Sequence, residues 1–211
     1  GEIRFTTPSE WDLLCRVNEV LSGAGLVETV NLSFVPDHGT PVGQVTDVTS
    51  AETTRETIQL LNPISQEATL LRPNLWPGLL KNAATNSNHN VQDIQIYEAG
   101  RVFLPRPSVT SSDCQLIEPL HIAALMNRGN SRSLWAHKNQ GRDFFDIKGM
   151  LEHLFNSFGI VDITFRLGSI GPFHPTRSAT VYYKSEDMNR EEKIGEVGEI
   201  HPDLLRFFDI T

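Results

Sequence analysis

The sequence has few cysteines and no long apolar run. It contains only two cysteines in 211 residues, Cys15 and Cys114, and no C-x-x-C pair. Neither a disulfide framework nor a cysteine-based metal site is therefore expected. No apolar run approaches the roughly 18 residues that a membrane-spanning helix needs. We expect reduced thiols, a cytoplasmic location and no contact with a membrane.

An excess of positive charge is also missing. The chain has 26 acidic residues against 18 lysines and arginines, which gives a net charge of -8. A protein that binds nucleic acid over its whole surface is usually basic, so any RNA contact here must be local or made by other parts of the molecule.

One segment suits such a local contact. Residues 127–142 contain no acid, and Trp135 lies among four basic residues: Arg128, Arg132, Lys138 and Arg142. Basic side chains around an aromatic ring are typical of RNA-binding loops. A solvated loop without a ligand is the simpler interpretation, and the sequence leaves both open.

The remaining composition is that of a globular protein, with 39% hydrophobic and 21% charged residues, and it favours a single domain over residues 1–211. Residues 7–10 read TPSE, which predicts a capping box with Thr7 as N-cap and Glu10 as its partner. Apolar residues at helical spacing follow, with Trp11 on the flank of their stripe. Residues 26–35 alternate, which predicts a long strand with one apolar face.

Later segments predict further elements in a mixed order. We expect a helix capped by Asn74, a Pro/Ser loop over 104–119, and a buried helix over 146–158 with Asp146 as its N-cap and Lys148 solvated. Strands are predicted at 93–103, 120–126, 163–167, 179–184 and 193–200, the last two forming a hairpin. Since no regular β-α-β alternation appears, the fold class is α+β, with a largely antiparallel sheet flanked by helices.

Five segments, in order along the chain, resemble the β subunit of bacterial phenylalanyl-tRNA synthetase. They are LLNPISQEATLLRPNLWPGLL at 60–80, IYEAGRVF at 96–103, DFFDIKGMLEHLF at 143–155, HPTRSA at 174–179 and GEIHPDLL at 198–205. The resemblance implies the class II aminoacyl-tRNA synthetase-like core of that subunit. It also implies that this core is one piece of a longer multidomain subunit.

The resemblance further implies a core without chemistry of its own. Class II enzymes stabilise the phosphates of ATP largely with two arginines, one on the motif 2 strand and one within Gly-x-Gly-x-x-Arg. This sequence has no Gly-x-Gly-x-x-Arg, and Leu104 aligns with the motif 2 arginine. We therefore expect no catalytic residue, bound cofactor or metal in this domain, while the assembled enzyme uses ATP and magnesium on its α subunit.

In this family the β core pairs with the catalytic α subunit through the first helices of both, in a tetramer of two α and two β chains that charges tRNA with phenylalanine. The resemblance thus implies a subunit interface on the first helix. Its candidate residues are Trp11, Leu14, Asn18 and Leu21. The alternative for Trp11 is that it covers the edge of its own core.

The other candidate residues have simpler structural interpretations. The spacing of His174 and His201, even with Asp143 and Asp146, does not support a metal site, so we expect structural histidines. Arg177 is expected to form an internal salt bridge that orders a turn, although it is also suited to a carboxylate or phosphate. Two other functions remain open: a vestigial pocket for a small ligand, and a stand-alone RNA-binding module.

Overall fold

The computed structural model describes residues 9–36, 58–63, 65, 68–106, 115–127, 142–168, 171–185 and 190–210. Its helices are α1 (Glu10–Gly23), α2 (Trp76–Asn88), α3 (Phe144–Ser157) and α4 (Pro202–Phe207). Its strands are β1 (Val27–Glu28), β2 (Phe34–Val35), β3 (Leu70–Leu71), β4 (Gln95–Arg101), β5 (Leu104–Arg106), β6 (Gln115–Ile117), β7 (Leu120–Met126), β8 (Ile163–Leu167), β9 (Phe173–Ser185) and β10 (Arg190–Ile200).

Two three-stranded sheets form the framework. In the first, of order β1-β4-β7, β4 and β7 pair antiparallel from Gln95 opposite Met126 onward, and β1 pairs parallel with β4. The second, of order β10-β9-β8, is antiparallel throughout. The predicted α+β class and the final hairpin are thus confirmed.

Helices cover both faces of the first sheet. Neighbouring residues of β4 point to opposite faces, so each face presents its own side chains to a helix. On one side Tyr97 packs with Val17 and Leu21 of α1 and with Leu154 of α3. On the other side Ile96 packs with α2. The same α3 also covers the second sheet, through a stripe of half-buried side chains: Phe144, Ile147, Leu151 and Phe155. One helix therefore holds the two sheets together.

The helix ends differ from the sequence predictions. Helix α1 begins after Ser9, whose hydroxyl accepts from Asp12 N at 3.1 Å while the Asp12 carboxylate accepts from Ser9 N. The capping box thus starts at Ser9, two residues after the predicted Thr7, which lies outside the described residues. Likewise Asp143 caps α3, and Asp146 is the third-residue partner of that box.

Three further predictions are corrected. Helix α2 begins after Leu75 without a side-chain cap, so Asn74 does not cap it. The predicted loop at 104–119 contains the paired strands β5 and β6. Residues 174–179, predicted as a turn, lie within β9. Ser178 pairs with Gly198 and Phe173 pairs with Ile200, and the register of the two strands shifts between these pairs.

The predicted long strand over 26–35 is also wrong, since the structure contains only the short strands β1 and β2 there. After Glu28, the backbone keeps one bond to β4, from Thr29 N to Tyr97 O at 2.7 Å. The next partner is a side chain, because Asn31 N donates to the carboxylate of Glu98 at 3.2 Å. A side chain thus replaces the backbone ladder at this point.

Within the described part of the chain, no helix has the length and apolar character needed to cross a bilayer.

Candidate functional site

Helix α1 carries exposed apolar side chains near its start. Trp11 is 72% exposed and Leu13 is also exposed, whereas Leu14 and Asn18 are half-buried. Leu21 is only 2% exposed and belongs to the core of the chain itself. Leu21 is therefore removed from the predicted interface, because a buried side chain offers no surface to a partner, while the other three residues remain candidates.

Residues 28–34 show an inverted pattern of burial. The apolar Val30 and Leu32 are 89% and 79% exposed, and Phe34 is exposed as well. The polar Thr29, Asn31 and Ser33 between them are half-buried and face inward. We call Val30, Leu32 and Phe34 the apolar ridge.

A buried ion pair lies beneath the apolar ridge. Arg72 Nη1 and Glu98 Oε1 are 2.5 Å apart, and the two residues are 6% and 2% exposed. The guanidinium also donates from Nε to Arg101 O at 3.0 Å. A buried charge is tolerated only when it is paired and hydrogen-bonded, and both conditions are met here.

Asn31 joins the ridge to this ion pair. Its Nδ2 donates to Glu98 Oε2 at 2.7 Å, its backbone N donates to Glu98 Oε1, and its carbonyl accepts from Arg72 Nη1 at 3.3 Å. We call Asn31, Arg72 and Glu98 the clamp. The clamp joins segments that are 67 and 41 residues from Asn31 in sequence.

Two glycines make room for the clamp. A Cβ on Gly100 would lie 2.5 Å from Arg72 Nη2, and a Cβ on Gly78 would lie 3.0 Å from the side chain of Asn31. Gly78 lies in segment 60–80 and Gly100 in segment 96–103, two of the five segments that carry the family resemblance. Sequence reasoning missed the clamp itself, although an Arg and a Glu within apolar strand segments were a usable signal for a buried pair.

The basic segment is only partly described. Arg128, Arg132 and Lys138 lie outside the described residues. Arg142 forms an ion pair with Asp93, and its Nη2 donates to Asp93 Oδ2 at 3.2 Å. This hydrogen bond from Arg142 lowers the pKa of Asp93 from its ordinary value, although partial burial opposes the shift. Arg142 thus has a partner within the chain, whereas the sequence predicted an RNA contact for it.

The histidines and Arg177 have internal partners. His201 Nδ1 accepts from Asp203 N and caps α4, while His174 Nδ1 accepts from Thr176 N. Arg177 pairs with Glu199 of β10 at 2.6 Å, a salt bridge across two strands rather than within a turn. Among the described residues, no group of three or more potential ligands could hold a metal ion.

Lys148 is not solvated as predicted. It is half-buried, forms an ion pair with Glu152, and its Nζ lies 4.6 Å from the ring centroid of Phe165. The contact joins α3 to β8, so Lys148 is a structural residue of the second sheet.

A broad cleft of about 1490 Å³ separates the two sheets. Strands β7 and β10 line it together with α2 and α3, and Arg72, Leu104 and Arg177 reach its wall. The lining is mostly apolar. The cationic groups of Arg72 and Arg177 are paired with Glu98 and Glu199, which reduces what they offer to an anionic ligand.

Comparison with known proteins places these features in a family context. The sequence profile of the family described as phenylalanyl tRNA synthetase beta chain CLM domain matches residues 5–211. The phenylalanine–tRNA ligase beta subunit of Moorella thermoacetica is 32% identical over 188 residues, covering 89% of this chain and 22% of that protein. The corresponding subunit of Geobacter metallireducens is 30% identical over 198 residues, covering 92% and 23%. The chain thus spans less than a quarter of the length of these relatives.

The fold has counterparts among solved structures. A pyrrolysyl-tRNA synthetase from Desulfitobacterium hafniense superposes with a TM-score of 0.61 at 16% identity, covering 97% of this chain and 63% of that one. A second structure from that organism, of the pyrrolysyl-tRNA synthetase PylSc, gives 0.50 at 15% identity and covers 82% and 52%. The chain therefore shares the α+β fold of these two aminoacyl-tRNA synthetase structures.

Proposed function

The chain belongs to the phenylalanyl-tRNA synthetase β chain family, and from this membership we propose that it serves in a phenylalanine–tRNA ligase as a non-catalytic core that docks the α subunit. The assembled ligase attaches phenylalanine to its tRNA in the cytoplasm, with ATP and magnesium acting on the α subunit. The coverage of the relatives supports a longer β subunit around this core.

The observation that carries the docking role is the exposed apolar surface of α1. Trp11 has 72% of its surface in solvent, and Leu14 and Asn18, three and seven residues further along on the same side of the helix, keep part of theirs. Aromatic residues are enriched in protein interfaces, and exposed apolar patches mark such sites. The inner face of the same helix is already buried against α3 and β4, so the outer face is available for a partner.

The non-catalytic assignment rests on the residues at the cleft. Leu104 lacks any group that binds phosphate, and the sequence contains no Gly-x-Gly-x-x-Arg. Arg72, which reaches the cleft wall, is held by Glu98 and by two backbone carbonyls. Stabilising the negative charge that develops on a phosphate in a transition state requires cations that point at that charge. The guanidinium of Arg72 points instead at the buried carboxylate of Glu98.

A second candidate function follows from the cleft itself, whose mostly apolar lining suits a small ligand that fills part of its volume of about 1490 Å³. A thermal-shift experiment with ATP, phenylalanine and magnesium tests it, because a ligand selective for the native state raises the melting temperature. An unchanged melting temperature with all three would argue against this candidate.

The docking role predicts that Trp11→Asp, in the complete β subunit, weakens its complex with the α subunit more than tenfold, since truncating an aromatic anchor typically costs about 2 kcal/mol or more. Size exclusion coupled to light scattering, over a dilution series, measures the complex. Val161→Asp is the matched control, because Val161 is 74% exposed and lies on the loop before β8. An undiminished complex with Trp11→Asp would contradict the proposal.

A further inference from the structure

We propose that the ion pair of Arg177 and Glu199, at the wall of the cleft, binds a free α-amino acid with an apolar side chain. The inference rests on the second candidate function, the cleft as a ligand site, because it names the chemical class of the ligand and the residues that hold it. The ion pair recognises the two opposite charges of the amino acid, and the apolar part of the cleft wall takes its side chain.

The pair lies where the ladder between β9 and β10 is interrupted. The register shifts after the pair Ser178 and Gly198, so residues 174–177 of β9 lie opposite the single residue Glu199 of β10. Extra residues in one strand bend it and re-aim its side chains, and such irregularities are frequent next to active sites. Arg177 and Glu199 therefore stand at a place where the sheet departs from a regular ladder.

Both side chains point to the face of the second sheet that α3 covers. Arg177 and Glu199 lie two residues from Ala179 and Val197, which belong to the apolar cluster under α3. Alternate residues of a strand share one face. The contact from Arg177 Nη1 to Glu199 Oε2, at 2.6 Å, agrees with this placement, because it requires both side chains on the same side.

Apolar side chains border the pair inside the cleft. Phe144 and Ile147 of α3 belong to the same apolar cluster as Val197, and all three line the cleft together with Arg177 and Glu199. The two α3 side chains are only half-buried, so part of their surface is left for a ligand. Covering that surface with the side chain of an apolar amino acid is favourable.

The ion pair leaves binding groups unused. Among the residues that the structure describes, the two side chains share the single contact between Nη1 and Oε2. A guanidinium carries five N–H donors, and a carboxylate accepts at two oxygens. The side chains of Arg177 and Glu199 are 52% and 37% exposed, so a ligand can reach their remaining donors and acceptor.

The arrangement of charge selects a ligand that carries both signs. An anion would gain the guanidinium but would lie beside the carboxylate of Glu199, and a cation would meet the opposite conflict at Arg177. An α-amino acid carries an ammonium and a carboxylate on one carbon, so it pairs with both residues while they stay paired with each other. Hydrogen bonds between charged groups are the strong ones, and an apolar surrounding strengthens them.

The test is isothermal titration calorimetry of the complete β subunit, without the α subunit, with L-phenylalanine and L-leucine as probes. Two partial ligands are compared with phenylalanine: 3-phenylpropanoate lacks the ammonium, and 2-phenylethylamine lacks the carboxylate. Both amino acids are expected to bind. Phenylalanine is expected to bind about tenfold more tightly than either partial ligand, because each partial ligand loses one hydrogen-bonded charge.

Arg177→Gln and Glu199→Gln each remove one charge and keep most of the side-chain volume. Each is expected to raise the dissociation constant of phenylalanine about tenfold. Lys193→Gln is the matched control, since Lys193 forms another ion pair, with Glu196, on the same wall of the cleft, and it should leave the dissociation constant unchanged. Melting without ligand checks that the variants fold, because exposed ion pairs contribute little to stability.

The outcomes separate this inference from the candidate function on which it rests. If neither amino acid binds while ATP raises the melting temperature, the inference fails and the cleft stands as a site for another ligand. If nothing binds, both fail. Phenylalanine that binds equally to the natural chain and to the variants Arg177→Gln and Glu199→Gln overturns the inference, and so does 3-phenylpropanoate that binds as tightly as phenylalanine.

Discussion

At the scale of single residues, the buried ion pair matters for geometry more than for net stability. A buried pair gains little over well-packed apolar residues, because desolvation offsets the attraction between the charges. Removing one member is different, since it leaves a buried charge without a partner. The stability of the fold therefore depends on keeping Arg72 and Glu98 paired. Gly100 makes this pairing possible because it leaves room for the guanidinium.

Gly100→Ala is predicted to destabilise the chain by about 3 kcal/mol, because the new Cβ would lie 2.5 Å from Arg72 Nη2 and displace the guanidinium from Glu98. Gly149→Ala is the matched control. A Cβ there has no neighbour within 4 Å and lies in the middle of α3, so it should stabilise by about 0.5–1 kcal/mol. Urea unfolding of the two variants measures both effects. If both variants shift the urea midpoint by the same small amount, the space that Gly100 leaves for the guanidinium of Arg72 is not needed for stability.

At the scale of elements, the sequence predicts those whose stabilising contacts are local. Strand β7 matches its predicted range, and α3 follows the predicted apolar stripe because a helix repeats every 3.6 residues whatever it packs against. The errors at helix ends have a local cause too. Ser9 and Thr7 are both good N-caps, and each has an acid three residues further on. In the structure Asp12 completes the box with Ser9, while Glu10 pairs with Arg101.

The segment 26–35 shows what the sequence could not predict. Its alternation correctly indicates two faces, but alternation does not say which face is inside. That choice depends on Glu98 and Arg72, which are distant in sequence and which replace the backbone ladder with side-chain bonds to Asn31. The prediction of Leu21 as an interface residue is wrong for the same reason, since its burial depends on Tyr97 and Leu154, which are distant in sequence.

Helix capping gives a prediction at this scale. Ser9→Ala should destabilise the chain by about 1 kcal/mol, because it removes the acceptor for Asp12 N at the start of α1. Asn74→Ala, at the start of α2, should lack this penalty, since α2 has no side-chain cap and Asn74 Oδ1 is buried without a partner. Thermal unfolding with matched heating rates compares them. A larger loss for Asn74→Ala than for Ser9→Ala would contradict the assignment of the caps.

At the scale of the whole molecule, one side of the first sheet is a candidate docking face and the rest is a support. Helix α1 covers one face of the first sheet, residues 27–31 run along the neighbouring edge of β4, and the two connect through Asn18 and Glu28. Helix α3 then ties this sheet to the second one. A net charge of -8 is consistent with a partner that is a protein rather than a nucleic acid over most of the surface.

Side-chain footprinting of the complete β subunit, with hydroxyl radicals and mass spectrometry, tests the docking face most directly. Trp11 is exposed in the chain, as are Phe145 at 72% and Leu167 at 86%, which lie on α3 and β8 and serve as internal controls. On addition of the α subunit, we predict that Trp11 loses most of its labelling while Phe145 and Leu167 keep theirs. Undiminished labelling of Trp11 in a complex shown to be assembled would contradict the account.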